Sequence, residues 1–168
     1  MSEISWAVAW RRDDWKLEAD CKAFWEKLQL VGPDERERRV KELCSMAYAD
    51  GQLVGVSTIQ LQPYPALRCR LAFFRCAVDP EFRRHELATL LTLRSLIAME
   101  GWSAEHPEEQ LQGLAAIIQA PELAPKGKFP EWPDYNVQLN LVGYTQRGEQ
   151  VRVAWFRHSA LENWNAAQ

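Results

Sequence analysis

The stretch DPEFRRHELATLL, residues 79–91, decides which fold this chain adopts. The preceding residues alternate between polar and apolar types, which predicts a strand over about 68–78. Apolar residues then recur with helical spacing from Leu87 onward. Asp79 is a favoured N-cap residue and Pro80 a favoured first-turn residue, so a helical segment is expected to begin directly after the strand.

A strand that turns directly into a helix presents a potential anion site. The first backbone N–H groups of a helix have no intrahelical partner and carry partial positive charge. Successive N–H groups in the preceding turn can form a concave anion site. Arg83, Arg84 and His85 add positive charge, and the small Ala88 leaves room for a ligand. The alternative is an ordinary capped helix start with an exposed polar face.

Glu86 stands where a phosphate-binding turn would usually carry glycine. We expect it to adopt helical angles, so that the chain continues unbroken. At a distance of about 6 Å its carboxylate would cost a bound diphosphate on the order of 1–3 kcal/mol. The side chain could instead face solvent or pair with Arg83 or Arg84. The residue therefore predicts weakened rather than abolished anion binding.

Outward from this stretch, the remaining chain predicts one α+β domain over residues 1–168. Apolar spacing predicts a long helix from Leu87 that carries Ile97 and Ala98 on its apolar stripe and is closed at Gly101. The other elements are a strand at 5–10, a helix with the stripe Leu17, Cys21, Phe24 and Leu28, a charged helix at 33–44, a hairpin at 44–61 around Asp50-Gly51, a strand at 114–119, a proline-rich loop at 121–135, and a terminal hairpin at 137–156.

Composition narrows the class of protein. The net charge of -3 gives no basic footprint, so nucleic acid is not expected as a partner. No apolar run has the length of a signal peptide or a membrane span, and the four cysteines form no CxxC pair. These features predict a reduced, cytoplasmic protein without a membrane partner. The three histidines lack metal-type spacing, so no metal site is expected.

The pattern Val78-x-Pro80-Glu81-x-Arg83-Arg84-x-x-Leu87-Ala88 resembles the acyl-CoA motif of the GNAT superfamily of N-acyltransferases. The hairpin YADGQLVGVSTI looks like that family's second and third strands, and the order of elements is similar over nearly the whole chain. The resemblance implies a central mixed, mostly antiparallel sheet of about six to seven strands, splayed at the coenzyme A site and flanked by helices.

The resemblance also implies a cosubstrate and its contacts. Acetyl-CoA or another acyl-CoA would be bound, and its acyl group would pass directly to an amine in a ternary complex. The residues implied in binding it are Cys76, Ala77 and Val78 for the acyl arm, and Arg83, Arg84, His85, Glu86, Leu87 and Ala88 for the diphosphate. The acceptor would be a small molecule or a protein amine.

Candidate catalytic residues are few. Tyr135 is the candidate acid for the leaving thiolate, and Glu122 is a candidate base. Tyr144 follows a glycine, as in a pair that usually packs in this family. Cys76 has no evident histidine partner, so a buried structural cysteine is expected there. The loops at 62–67 and 125–135 would border the acceptor site, with aromatic side chains at Tyr64, Phe129 and Trp132.

Two other functions stay open. The first is a non-catalytic GNAT-like domain that binds coenzyme A weakly or serves as a sensor or interaction module. The second is an α+β interaction protein that binds no coenzyme A. The terminal hairpin could also pair with a second copy of the chain to form a homodimer.

Overall fold

Residues 3–133 and 137–161 are described by a computed structural model of the chain, except for the side chains of Arg84 and His85. The elements of the described residues are β1 (Ile4–Val8), α1 (Trp15–Leu28), α2 (Pro33–Arg39), β2 (Leu43–Ala49), β3 (Gln52–Tyr64), β4 (Cys69–Val78), α3 (Leu87–Glu105), β5 (Leu111–Ile118), α4 (Ala124–Gly127), β6 (Asn140–Tyr144) and β7 (Gln150–Trp155). Hydrogen-bonded neighbours follow the order β1-β2-β3-β4-β5-β7-β6. Strands β4 and β5 are parallel, while β1–β2, β2–β3, β5–β7 and β6–β7 are antiparallel. The predicted α+β class with a mixed, mostly antiparallel sheet is confirmed.

Contacts divide the chain into two compact units. Unit 1 comprises Met1–Ile59 and Arg75–Ala98, and unit 2 comprises Gln60–Phe74 and Met99–Gln168. The elements β3, β4 and α3 each continue from one unit into the other.

Unit 1 is organised by local signals that the sequence displays. Asp14 caps α1 by accepting hydrogen bonds from the backbone of Lys16 and Leu17 at 3.0 and 3.3 Å. Asp50 and Gly51 have φ values of 49° and 79°, so both adopt the left-handed angles that a two-residue hairpin turn requires. Helix α1 buries Cys21, Phe24 and Trp25 against residues of β2 and β3, which forms a continuous apolar core on this face.

Helix α3 differs from its prediction in two respects. Its buried residues include Leu87, Leu91, Ser95, Met99 and Ser103, which are spaced four apart along one stripe. Ile97 lies off that stripe and is 63% exposed, so its predicted place in the apolar face is wrong. The helix also continues through Gly101 to Glu105, because a single glycine weakens a helix without ending it.

Unit 2 is built on β5. This strand pairs with β4 on one side and with β7 on the other. It begins at Leu111, before the predicted start at 114, because Leu111 already pairs with Arg70 of β4. A Cβ atom at Gly113 would lie only 2.7 Å from the Ala154 carbonyl oxygen. The predicted terminal hairpin is present as β6 and β7, with Gly148 at φ 81° in its turn.

The proline-rich segment predicted as a loop contains two short helical turns, Pro121–Leu123 and α4. It is held by Arg152, a β7 residue with no solvent exposure. The guanidinium lies 5.1 Å from the centre of the Trp132 ring. Its N–H groups donate to Gln150 Oε1 at 2.9 Å and to the carbonyl oxygens of Gly127 at 2.9 Å, Phe129 at 2.7 Å, Pro130 at 3.3 Å and Leu139 at 3.1 Å.

Replacing Arg152 with methionine should lower the free energy of unfolding by about 2–4 kcal/mol, because several buried carbonyl groups would lose their donor. Arg152→Lys should recover only part of this loss, since an ammonium group cannot reproduce the planar fork. The measurement is urea unfolding, with Arg157→Met as the control because the Arg157 side chain is 95% exposed. Equal stability of Arg152→Met and the parent chain would contradict this role.

Candidate functional site

Strand β4 ends in unit 1 at a buried carboxylate. Asp79 is 4% exposed. It accepts a hydrogen bond from Lys27 Nζ at 3.0 Å and one from the Glu81 amide at 3.0 Å. The Asp79 amide donates to the Val54 carbonyl oxygen at 2.8 Å, which ties the end of β4 to β3. Burial alone would raise the pKa of Asp79, but the hydrogen bonds from Lys27 and Glu81 and the Lys27 charge together lower it.

The turn after Asp79 is a 3-10 helix, Pro80–His85, followed by a single left-handed residue. That residue is Glu86, with φ 54° and ψ 21°. The expectation that Glu86 takes helical angles is therefore wrong. For an L-residue this conformation costs about 1–2 kcal/mol, whereas glycine adopts it without steric penalty. The backbone of the turn has the shape that favours glycine, although its residue is glutamate.

Glu86 also sets where α3 begins. Its carbonyl oxygen accepts the hydrogen bond from the Leu90 amide at 3.0 Å. The amides of Leu87, Ala88 and Thr89 therefore belong to the first helical turn, where N–H groups have no partner within the helix. Leu87 is fully buried in the core cluster of unit 1, whereas Ala88 is exposed. The buried leucine fixes the helix while the exposed alanine leaves its first turn accessible.

Arg83, Arg84 and His85 precede this first turn in the sequence. Arg83 is exposed on the 3-10 helix that leads into α3. The predicted contributions of the Arg84 and His85 side chains lie outside the described residues. Glu86 is exposed, so its carboxylate is accessible to solvent. The turn therefore combines a helix start and at least one exposed cation with one exposed carboxylate.

The predicted binding strand precedes this turn. The parallel ladder between β4 and β5 runs from Arg70–Leu111 to Phe74–Ala116, so Cys76, Ala77 and Val78 lie beyond its last pair. Cys76 is exposed, so the expectation of a buried structural cysteine is wrong. Protein around the sulfur nevertheless desolvates a thiolate and raises the pKa of the thiol. A thiol that stays protonated at neutral pH is a weak nucleophile.

The other predicted site residues belong to unit 2. Glu122 is exposed on the turn Pro121–Leu123. Tyr135 lies outside the described residues. Tyr144 is 62% exposed on β6, so the expectation that it packs is wrong. Of the aromatic residues expected at an acceptor entrance, Phe129 is 44% exposed while Trp132 is buried beneath Arg152.

Sequence reasoning missed two charged residues of unit 1 near the turn. Lys27 pairs with Asp79 across 52 positions, and no local pattern indicates such a distant partner. Arg75 could have been found, because it is the one charged residue in the apolar run 71–78. A charged side chain inside an otherwise apolar strand needs a specific environment.

Among the residues that the structure describes, no group of three or more His, Cys, Asp or Glu side chains is arranged to hold a metal ion. None of the described helices combines the length and apolar character needed to cross a bilayer.

No family model and no curated protein matches the chain. Its structure, in contrast, matches 144 solved chains. A GNAT-family acetyltransferase from Streptococcus pneumoniae aligns with a TM-score of 0.53 and 14% identity over 90% of this chain and 96% of that one. A tyrosine-to-phenylalanine mutant of the AtaT toxin, solved with the C-terminus of the antitoxin AtaR and acetyl-CoA, aligns with a TM-score of 0.55 and 14% identity over 91% and 93%.

N-acetylglutamate synthase from Neisseria gonorrhoeae, complexed with coenzyme A and L-arginine, aligns with a TM-score of 0.52 and 12% identity. That alignment covers 94% of this chain but 34% of the synthase chain. The sheet order, the helices and these structural matches define an α+β protein of one known fold. The chain has the GNAT fold, and the predicted resemblance is confirmed at the level of the fold.

The Asp79–Lys27 pair predicts a pH-dependent contribution to stability. Because the pKa of Asp79 is lowered on folding, its stabilisation is complete above the ordinary carboxyl range near pH 4 and is lost as pH falls through the folded value. Asp79→Asn should lower the free energy of unfolding at pH 7 by about 1–3 kcal/mol. The difference from the parent chain should shrink in acid.

Urea unfolding at neutral pH and at several acidic pH values measures both effects. Asp34→Asn is the matched control, because Asp34 is exposed on α2. A constant difference between Asp79→Asn and the parent chain at every pH would contradict the proposed ionisation.

Proposed function

We propose that the chain is an acyl-CoA-dependent N-acyltransferase that transfers an acetyl group, or a related acyl group, to an amine. The observation that carries the proposal is the left-handed turn at Glu86, which starts α3 after the 3-10 helix that follows β4 and leaves Ala88 exposed in the first turn of α3. Two of the solved relatives were captured with coenzyme A or acetyl-CoA, which supports the same ligand class. Fold alone does not define activity, so the proposal rests on the site.

The diphosphate of coenzyme A would bind the amides of Ala88 and Thr89 in the first turn of α3, where unsatisfied N–H groups and the helix dipole favour negative charge. Arg83 would add a charge-assisted hydrogen bond to a phosphate oxygen. Arg84 and His85 are proposed contributors on sequence grounds. The exposed Ala88 leaves the space that a larger side chain would fill.

The acyl arm would lie along β4 beyond its last pair with β5, bonding to the backbone of Cys76, Ala77 and Val78 as an added strand. A backbone N–H of this segment would polarise the thioester carbonyl group, and the amine would attack it directly. The departing thiolate must gain a proton and the attacking amine must lose one. Tyr135 is the proposed acid, and Glu122 or a water chain is the proposed base.

A second function is favoured by one observation. The Glu86 carboxylate lies in the turn that would meet the diphosphate, where negative charge opposes binding. A chain that binds coenzyme A weakly and transfers no acyl group would serve as a sensor or interaction module. Binding and turnover therefore have to be measured separately.

Calorimetric titration of acetyl-CoA tests the binding step. We expect a dissociation constant on the order of micromolar that weakens with added salt, because charged groups contribute. Arg83→Ala should weaken binding about tenfold or more through loss of one charged hydrogen bond. Arg38→Ala is the matched control, since Arg38 is an exposed arginine of α2.

Absence of binding at millimolar acetyl-CoA would overturn the proposal. Binding together with release of free thiol in the presence of an amine panel would support transfer. Binding without turnover on any amine would favour the sensor.

Two variants at Glu86 distinguish the effect of its carboxylate charge on affinity from the effect of its backbone strain on stability. Glu86→Gln removes the carboxylate and keeps the side-chain size, so it should bind acetyl-CoA about ten- to a hundredfold more tightly at unchanged stability. Glu86→Gly should show the same gain in affinity and also raise the free energy of unfolding by about 1 kcal/mol, because glycine tolerates φ 54°. Calorimetry and urea unfolding measure the two quantities. Unchanged affinity in both variants would show that the carboxylate does not face the phosphates.

A further inference from the structure

Arg75 is a charged residue in an otherwise apolar part of β4. Its neighbour Phe74 is buried and is the last β4 residue in the ladder with β5. Arg75 itself is exposed, and it directly precedes Cys76, the first residue of the proposed acyl-arm segment. An arginine at this position places a positive charge beside the centre of acyl transfer.

The face of β4 that carries Arg75 can be identified within unit 1. The Ala77 side chain packs against the core cluster that contains Phe24 and Trp25. Alternate residues of a strand point to the same face, so Arg75 shares the side of β4 on which Ala77 and this cluster lie.

A second arginine lies on the same face. Arg39 ends α2, and its guanidinium lies 5.5 Å from the centre of the Trp25 ring. The Arg39 side chain is 14% exposed. Burial and then the positive charge of Arg75 lower the pKa of Arg39, in keeping with their placement on one side of β4.

Two carboxylates, Glu35 and Glu42, act on Arg39. Glu35 Oε1 lies 4.0 Å from Arg39 Nε, which is too long for a hydrogen bond, and it also pairs with Arg38 at 3.2 Å. Glu42 adds a weaker favourable charge. Within the described part of the chain, the buried Arg39 Nε has no hydrogen-bond acceptor. A buried donor without an acceptor carries an energetic cost.

We propose that Arg39 and Arg75 bind a carboxylate group of the substrate beside the acyl-transfer centre. This inference rests on the proposed acyltransferase function. Guanidinium groups bind carboxylates through bidentate, charge-assisted hydrogen bonds. A carboxylate bound by both arginines would offset the repulsion between their positive charges. The carboxylate belongs either to the acceptor amine or to a dicarboxylic acyl group, and the same pair would recognise both.

Turnover measurements distinguish the two possible sources of the carboxylate, the acceptor amine and the acyl group. With acetyl-CoA, β-alanine and γ-aminobutyrate are compared with their uncharged amides. With β-alaninamide as acceptor, succinyl-CoA is compared with acetyl-CoA. The substrate that carries the recognised carboxylate should be preferred over its matched uncharged counterpart. Arg75→Gln should lower kcat/KM for that substrate by roughly 10- to 100-fold, while turnover of the uncharged counterpart stays nearly unchanged.

Arg157→Gln is the matched control, because it removes the same charge from a side chain that is 95% exposed. It should leave the preference for carboxylate substrates intact. An equal loss of kcat/KM for charged and uncharged substrates in Arg75→Gln would overturn the inference. So would the absence of any carboxylate preference in an active protein.

A binding measurement keeps the inference testable if no amine is acylated. The side-chain Nε–Hε signals of Arg39 and Arg75 are followed by NMR during titration with succinate, and with succinamide as the uncharged control. Both signals should move with succinate alone, and the Arg39 shift should disappear in Arg75→Gln. Unmoved signals would overturn the carboxylate site, whereas absent acetyl-CoA binding and turnover would overturn the acyltransferase function.

Discussion

The left-handed conformation of Glu86 is the constraint on which the proposed site depends. It lies between the 3-10 helix Pro80–His85 and α3, where Leu87 enters the core while Ala88 stays exposed. A right-handed residue at this point would extend the preceding helical turn instead of starting a new axis. The buried Asp79–Lys27 pair holds the other end of the turn against the sheet. The turn thus has a backbone conformation that suits glycine, although glutamate occupies the position.

Local signals predicted most of the fold, because they act over a few residues. Asp50-Gly51 specified the hairpin, and Asp14 specified the start of α1 through its side-chain cap. The errors came from tertiary contacts. Ile97 fits the helical period, yet it lies outside the stripe that packs, and α3 continues through Gly101 because its neighbours on both sides favour helix. The role of Arg152 could not be predicted, since its carbonyl acceptors lie at least 13 positions away in the sequence.

The candidate site was predictable where backbone and sequence position define it, and unpredictable where side chains from separate elements meet. Residues 76–78 and 83–88 follow from the order strand, turn and helix. Arg39 and Arg75 come from a helix and a strand that are far apart in the chain, so only the folded structure indicates their shared charge. In the proposed function, the backbone turn would bind the acyl-CoA cosubstrate, whereas the arginine pair would distinguish one substrate from another.

Backbone amide NMR during titration with coenzyme A would test the account most directly, because it reports the binding location without requiring a known acceptor. The account predicts that the amides of Leu87, Ala88 and Thr89 shift most strongly, together with those of Cys76, Ala77 and Val78. Saturable shifts confined to other parts of the chain, or none at all, would contradict the assignment of the turn at Glu86 as the diphosphate site.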